Sequence, residues 1–249
     1  MTSLTPDAIR SGQIRQLAGC DLEEFDLSSA QLPGAVLIGA NLVGSDLTET
    51  NLQGANLSGA NLLGAILVRA DLRANWTGAN LMQADLSSAD LRGSNLRGAN
   101  LMGATIVRSS LGGAFMSGVN LMSANLSGSD LRGVDLRGAN LSNANLEGVD
   151  LSGADLSGAL LNEANLEEAN LQRVNLSGAN CTRASFLCAD VEGTIVMGAS
   201  FMGACVTGTS LDRPKGVTGA TAIARSATLP NDSDRLSDHD HSSSSSLNL

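Results

Sequence analysis

Apolar residues recur in this chain with a period of five. From Leu22 one stands at every fifth position to Leu72, then at Trp76, then at every fifth from Leu81 to Leu211. Thirty of these 39 centres are Leu. Two positions before the centre stands a small residue, Ala in 26 repeats; one before it stands Asn or Asp in 27; two after it stands Gly in 23. Neither the alternation of a half-buried strand nor the 3.6-residue stripe of an amphipathic helix has this spacing. It suits a chain that turns a corner every five residues, with the centre and the small residue facing in. Leu then fills an axis, and Ala sits where the walls crowd together. Gly two after the centre suits the second central residue of a type II turn, where φ is positive. Where that position holds Gln83, Ser88, Glu168 or Arg173, a turn without that demand, such as type I, is expected.

Motifs such as Ala55-Asn56-Leu57-Ser58-Gly59 and Ala154-Asp155-Leu156-Ser157-Gly158 make the chain resemble the pentapeptide-repeat family, with its A(D/N)LxG pattern, over about three quarters of its length. The resemblance implies an all-β fold, a right-handed quadrilateral β-helix with four repeats per coil and about ten coils. At the strand-pairing distance of about 4.8 Å this makes a rod roughly 45–50 Å long. The step from Leu72 to Trp76 is one residue short. A tightened corner or a slight kink is expected there, with Trp76 marking the distortion.

Three segments are expected: an N-terminal cap (1–19), the β-helix (20–213) and a mostly disordered Ser-rich tail (214–249). Solenoid ends expose strand edges that need cover. A short capping helix suits residues 5–18, with Thr5 as cap, Pro6 at the first helical position, Asp7 in the first turn and Gly19 at the end. Ile9, Ile14 and Leu17 would be its apolar underside, and Gly12 weakens it enough to split it in two. At the other end the centres become Cys181, Phe186, Val191, Val196, Phe201 and Val206, which suggests modified final coils. Ser242 to Ser246 is low-complexity sequence,.

The net charge of −10 and the absence of Lys before Lys215 argue against a nucleic-acid binder, which needs clustered cations. Aromatics are only 2%, so the core is aliphatic. No apolar run of about 18 residues predicts a membrane span, and Met1 to Gly12 has no signal-peptide core; a cytoplasmic protein is expected. Four irregularly spaced Cys form no disulfide or zinc pattern,. Both His lie in the tail, in Asp238-His239-Asp240-His241, away from any Ser or Cys nucleophile of the repeats. No catalytic residue, metal site or cofactor is expected, and no enzyme activity.

With four repeats per coil, residues about twenty apart stack. One outward column then runs Val43, Leu63, Met82, Met102, Met122, followed by Ser142, Asn162 and Thr182. Exposed, this apolar stripe would suit a partner, because Met adapts to many surfaces. Its alternative is self-packing along the ladder. A second candidate surface is acidic: Glu147, Glu163, Glu167 and Glu168 lead a segment in which Glu147 and Glu167 should stack. The expected function is a non-catalytic scaffold or regulatory binding module that docks a protein partner or a second copy of itself. The alternative, implied by family resemblance, is an acidic DNA mimic that inhibits DNA gyrase.

Overall fold

The computed structural model describes residues 5–212. The break at Arg213-Pro214-Lys215-Gly216, the Ser-rich tail and its Asp–His run lie outside them. Parallel backbone bridges link residues twenty apart, from Gln16↔Val36 to Ser185↔Cys205. Pairing therefore recurs every fourth repeat, and each coil has four walls. We number them by their opening centres: Leu17 for wall 1, Leu22 for wall 2, Leu27 for wall 3 and Leu32 for wall 4. The ladder thus opens one repeat before Leu22: Leu17 is buried as a centre and Gly19 forms a corner at φ +64°, rather than closing a helix.

Inside the ladder, a five-residue repeat with Asn or Asp before its centre satisfies all five of its backbone N–H groups, which explains the sequence pattern. In the repeat around Leu47, Asp46 N–H and Leu47 N–H make the two inter-coil strand bonds, to Phe25 O at 3.0 Å and Ile66 O at 2.7 Å. Glu49 N–H reaches Val68 O of the next coil at 2.9 Å, and Thr50 N–H closes the turn on Leu47 O at 3.1 Å. The fifth, Thr48 N–H, donates to the Asp46 carboxylate at 2.8 Å. Asn or Asp before the centre is thus an acceptor for the one amide that neither turn nor ladder satisfies. From Leu22 onward the centres are buried throughout, as are the residues two before them, apart from Cys20, Phe25, Thr194 and Ala199 near the two ends, which are partly buried.

The turn expectation is corrected. Gln83, Ser88, Glu168 and Arg173 all have positive φ, between 57° and 60°, and ten other non-Gly corner residues have positive φ between 53° and 61°. Inter-coil bonds on both sides fix one backbone path, and the side chain tolerates it at about 1–2 kcal/mol per residue.

Among the described residues, the one corner without a left-handed residue lies in the short repeat. Its bridges step by nineteen (Asn56↔Asn75 to Asp71↔Asp90) and return to twenty at Asn75↔Asn95, so the ladder continues unbroken. With no i+3 amide to close the turn on Leu72 O, the buried Trp76 indole takes its place, Nε1 donating at 2.9 Å. A neighbouring group loses by this. Elsewhere inward Thr50, Ser109, Ser129 and Thr194 hydroxyls donate to the carbonyls of Leu27, Leu86, Ile106 and Leu171, 23 residues back. The missing residue makes Leu72 the corresponding position for Ser94, and Ser94 Oγ is buried without a partner. Ser94→Ala should therefore stabilise the rod by about 1 kcal/mol, whereas Ser109→Ala should destabilise it by a similar amount. Urea midpoints that shift the same way for both would contradict this.

At the start, α1 (Pro6–Arg10) is capped by Thr5, whose hydroxyl accepts from Ala8 N–H at 3.3 Å. Ile9 is fully buried, and Arg10 pairs with Asp7 and with Asp26 of the first coil. The carbonyls of Arg10 and Arg15 accept from Gln31 and Val36 N–H at 3.1 and 2.8 Å. At the far end Phe186 and Phe201 pack with ring centroids 5.5 Å apart.

Candidate functional site

Each wall has its own outward chemistry, because the residues flanking every centre point away from the axis. Wall 2 carries the Asn ladder Asn41, Asn61, Asn80, Asn100, Asn120 and Asn140. Asn80 Nδ2 donates to Asn61 Oδ1 at 2.8 Å, and Asn120 Nδ2 to Asn100 Oδ1 at 3.0 Å. Beside it run Val43, Leu63, Met82, Met102 and Met122, stacked as expected but each only half-exposed. More exposed apolar side chains lie elsewhere, among them Ile38, Ile66, Phe115 and Leu160. Between Asn41 and Asn140 this wall bears no charge.

Wall 4 is an ionic ladder. Arg73, Arg92 and Arg132 each fork onto the Asp two residues before, with Nη2–Oδ2 distances of 2.5, 2.6 and 2.7 Å. Arg137 does the same with Asp135 on wall 1. These hydrogen bonds, foremost among the causes, hold the carboxyls of Asp71, Asp90, Asp130 and Asp135 below the usual carboxylate range.

Wall 3 gathers the acidic candidates. Glu147 and Glu167 stack on it, with Gly148 N–H donating to Glu167 O at 2.9 Å. Glu163 and Glu168 stand on its two corners. Glu163 meets Arg183 at 3.3 Å, and Glu167 accepts from the Ser185 hydroxyl at 3.0 Å. The two candidate sets thus occupy adjacent walls and do not form one site.

Nothing among the described residues converges as catalytic machinery. No group of three His, Cys, Asp or Glu there could hold a metal ion. Cys20, Cys181, Cys188 and Cys205 are free, and burial pushes the Cys181 thiol up to about 12. A recess of about 1120 Å³ at the end of the last coil, lined by Val191, Ile195, Met197 and Leu211 among others, is largely apolar.

Sequence reasoning passed over one surface feature. Phe115 replaces Asn or Asp before its centre on wall 1, offers Ser117 N–H no acceptor, and is 44% exposed. The Arg97 guanidinium lies 4.6 Å from its ring centroid. The signal was present as an aromatic at a ladder position.

The family described as pentapeptide repeats matches residues 16–213 in eight copies. The chain belongs to the pentapeptide-repeat family. This pentapeptide-repeat protein is similar to HetL, involved in heterocyst differentiation regulation in the cyanobacterium Nostoc sp. strain PCC 7120. The two share 32% identity over 81% of this chain and 91% of HetL, with a TM-score of 0.66. QnrB1, a plasmid-mediated fluoroquinolone resistance protein, shares the fold at 18% identity over 67% of this chain and 90% of QnrB1, with a TM-score of 0.56. A comparison with curated proteins gives no match. No helix among the described residues is long and apolar enough to cross a membrane.

Proposed function

We propose that this pentapeptide-repeat protein is a non-catalytic protein-interaction module of the cytosol, about ten coils long, capped by α1, and docking a partner on wall 2. The observation that carries this reading is a stretch of wall 2, from Asn41 to Asn140, without charge on a chain of net charge −10. Asn80 bonds Asn61 and Asn120 bonds Asn100, which leaves fewer polar groups for an arriving surface to strip of water, and the adjoining Met column adapts its shape. Four free cysteines accord with a reducing compartment,. The test is the triple variant Met82→Ser, Met102→Ser, Met122→Ser. Proteins that co-purify with the wild-type rod should fall at least tenfold with the variant, measured by quantitative mass spectrometry. An unchanged set would reject wall 2.

The second reading, an acidic DNA mimic acting on gyrase, draws on the acids of wall 3. Against it, Asp71, Asp90 and Asp130 on wall 4 are tied to arginines, so this stretch forms no free anionic row. Gyrase supercoiling unaffected by excess protein would remove this reading.

A further inference from the structure

Charge is distributed unevenly along the rod. Between Asp90 and Arg137 five arginines face three aspartates, a local excess of +2. From Glu147 to Glu192 eight acids face two arginines, a local charge of −6. Arg92, Arg132 and Arg137 pair with the Asp two residues before them, so the excess is Arg97 on wall 1 and Arg108 at the corner of walls 3 and 4. Wall 1 carries the arginine that lies beside an exposed aromatic. There Arg97 and Arg137 stand two coils apart in one column, with Ser117 between them and Phe115 alongside. Arg97 makes no ion pair among the described residues; its guanidinium lies over the exposed Phe115 ring. Wall 3, on the opposite side of the rod, presents the column Glu147, Glu167, Leu187, in which Leu187 is 36% exposed.

Each face offers a charge and an apolar side chain one coil apart: Arg97 and Phe115 in neighbouring columns of wall 1, Glu167 and Leu187 in one column of wall 3. We propose that the Arg97–Phe115–Arg137 face of one rod docks on the Glu147–Glu167–Leu187 column of a second copy. Phe115 meets Leu187, and an arginine meets Glu167. The pairing explains an aromatic that sacrifices a ladder acceptor and stays in water. It also selects a second copy over nucleic acid, because the acidic rod repels a polyanion while its own wall 3 supplies the complementary sign. Walls 1 and 3 face opposite ways, so the contact is heterologous and leaves a free donor and a free acceptor face at the ends of every assembly. Wall 2 stays open for a different partner.

The test is sedimentation velocity on the full chain over a range of concentrations, at about 0.05 and 0.5 M salt. Wild type should form a concentration-dependent series of oligomers at low salt that dissociates at high salt. Arg97→Glu and Glu167→Arg should each weaken association at least tenfold, and mixing the two variants should restore a dimer. Phe115→Asn separates folding from docking: it supplies the missing ladder acceptor, so the rod should melt no lower than wild type while association is lost. A wild type that is monomeric at low salt overturns the proposal, as does a mixture that fails to pair. Binding of duplex DNA by the wild type and its loss in Arg97→Glu would assign the face to nucleic acid and overturn it too. Association abolished by the Met-to-Ser triple and untouched by both charge reversals would place the self-contact on wall 2 instead.

Discussion

Trp76→Leu should be among the most destabilising single changes in the rod, although it installs the residue found at most other centres. An ordinary centre needs only bulk, but Trp76 also replaces a missing turn. Its indole N–H satisfies the Leu72 carbonyl, and its ring fills the axis beside a corner one residue short. Leu leaves that carbonyl buried without a partner, at about 1–3 kcal/mol, and opens a cavity. Trp76→Ala should cost at least the ~3–5 kcal/mol typical of large aromatic truncations. Trp76→Phe keeps most of the bulk and should lose chiefly the hydrogen bond. The decisive variant inserts one Gly between Arg73 and Ala74. In the Trp76→Leu background it should recover most of the lost stability, because the corner can then close through its backbone. In the wild type the same insertion should destabilise, because the restored turn and the indole compete for one carbonyl and one space. Guanidinium midpoints followed by circular dichroism give the four corners of this cycle. Additive effects of substitution and insertion would show that Trp76 is merely a large core residue.

The same site shows where sequence reading stops. The five-residue period and the inward pair followed from hydrophobic spacing alone, since each repeat buries one large and one small residue. The identity of residues flanking a centre was legible only as a column. What Asn and Asp do before the centre was not legible, because their role is to serve an amide whose lack of partner appears only when the other four are counted. The turns misled for a related reason. A non-Gly residue in isolation avoids positive φ, but Glu168 and Arg173 each sit between coils whose bonds are already fixed, and local preference yields to the ladder. Among the candidate residues, the spacing of twenty sets Glu147 and Glu167 one above the other, while Glu163 and Glu168 stand on corners. The Met column looked more exposed as a string of letters than its half-buried side chains are. Phe115 was overlooked because a single departure from the repeat reads as noise until its neighbour Arg97 is known.

Gly12→Ala should loosen the start of the rod far more than Gly98→Ala loosens its middle. Both glycines have positive φ, +71° and +63°, so both substitutions carry the same left-handed cost of about 1–2 kcal/mol. Around Gly98 a new Cβ meets nothing within 4 Å, so that cost is the whole effect. At Gly12 the Cβ would fall 2.6 Å from the Gln31 backbone carbonyl. That oxygen belongs to the first coil, where Gln31 and Val36 hold the carbonyls of Arg10 and Arg15. The chain after α1 must then lift away, drawing Ile9 from the edge it covers. Hydrogen exchange distinguishes the two variants. Gly12→Ala should sharply reduce protection of the Gln31 and Val36 amides and leave mid-rod amides such as Leu101 unchanged. Gly98→Ala should lower the global midpoint slightly and leave Gln31 and Val36 protected. Equal protection of those amides in both variants would mean that the segment from Arg10 to Arg15 does not seal the first coil. The exposed strand edge it covers is a template for unwanted pairing, so Gly12→Ala should also be the more aggregation-prone of the two at equal loss of midpoint.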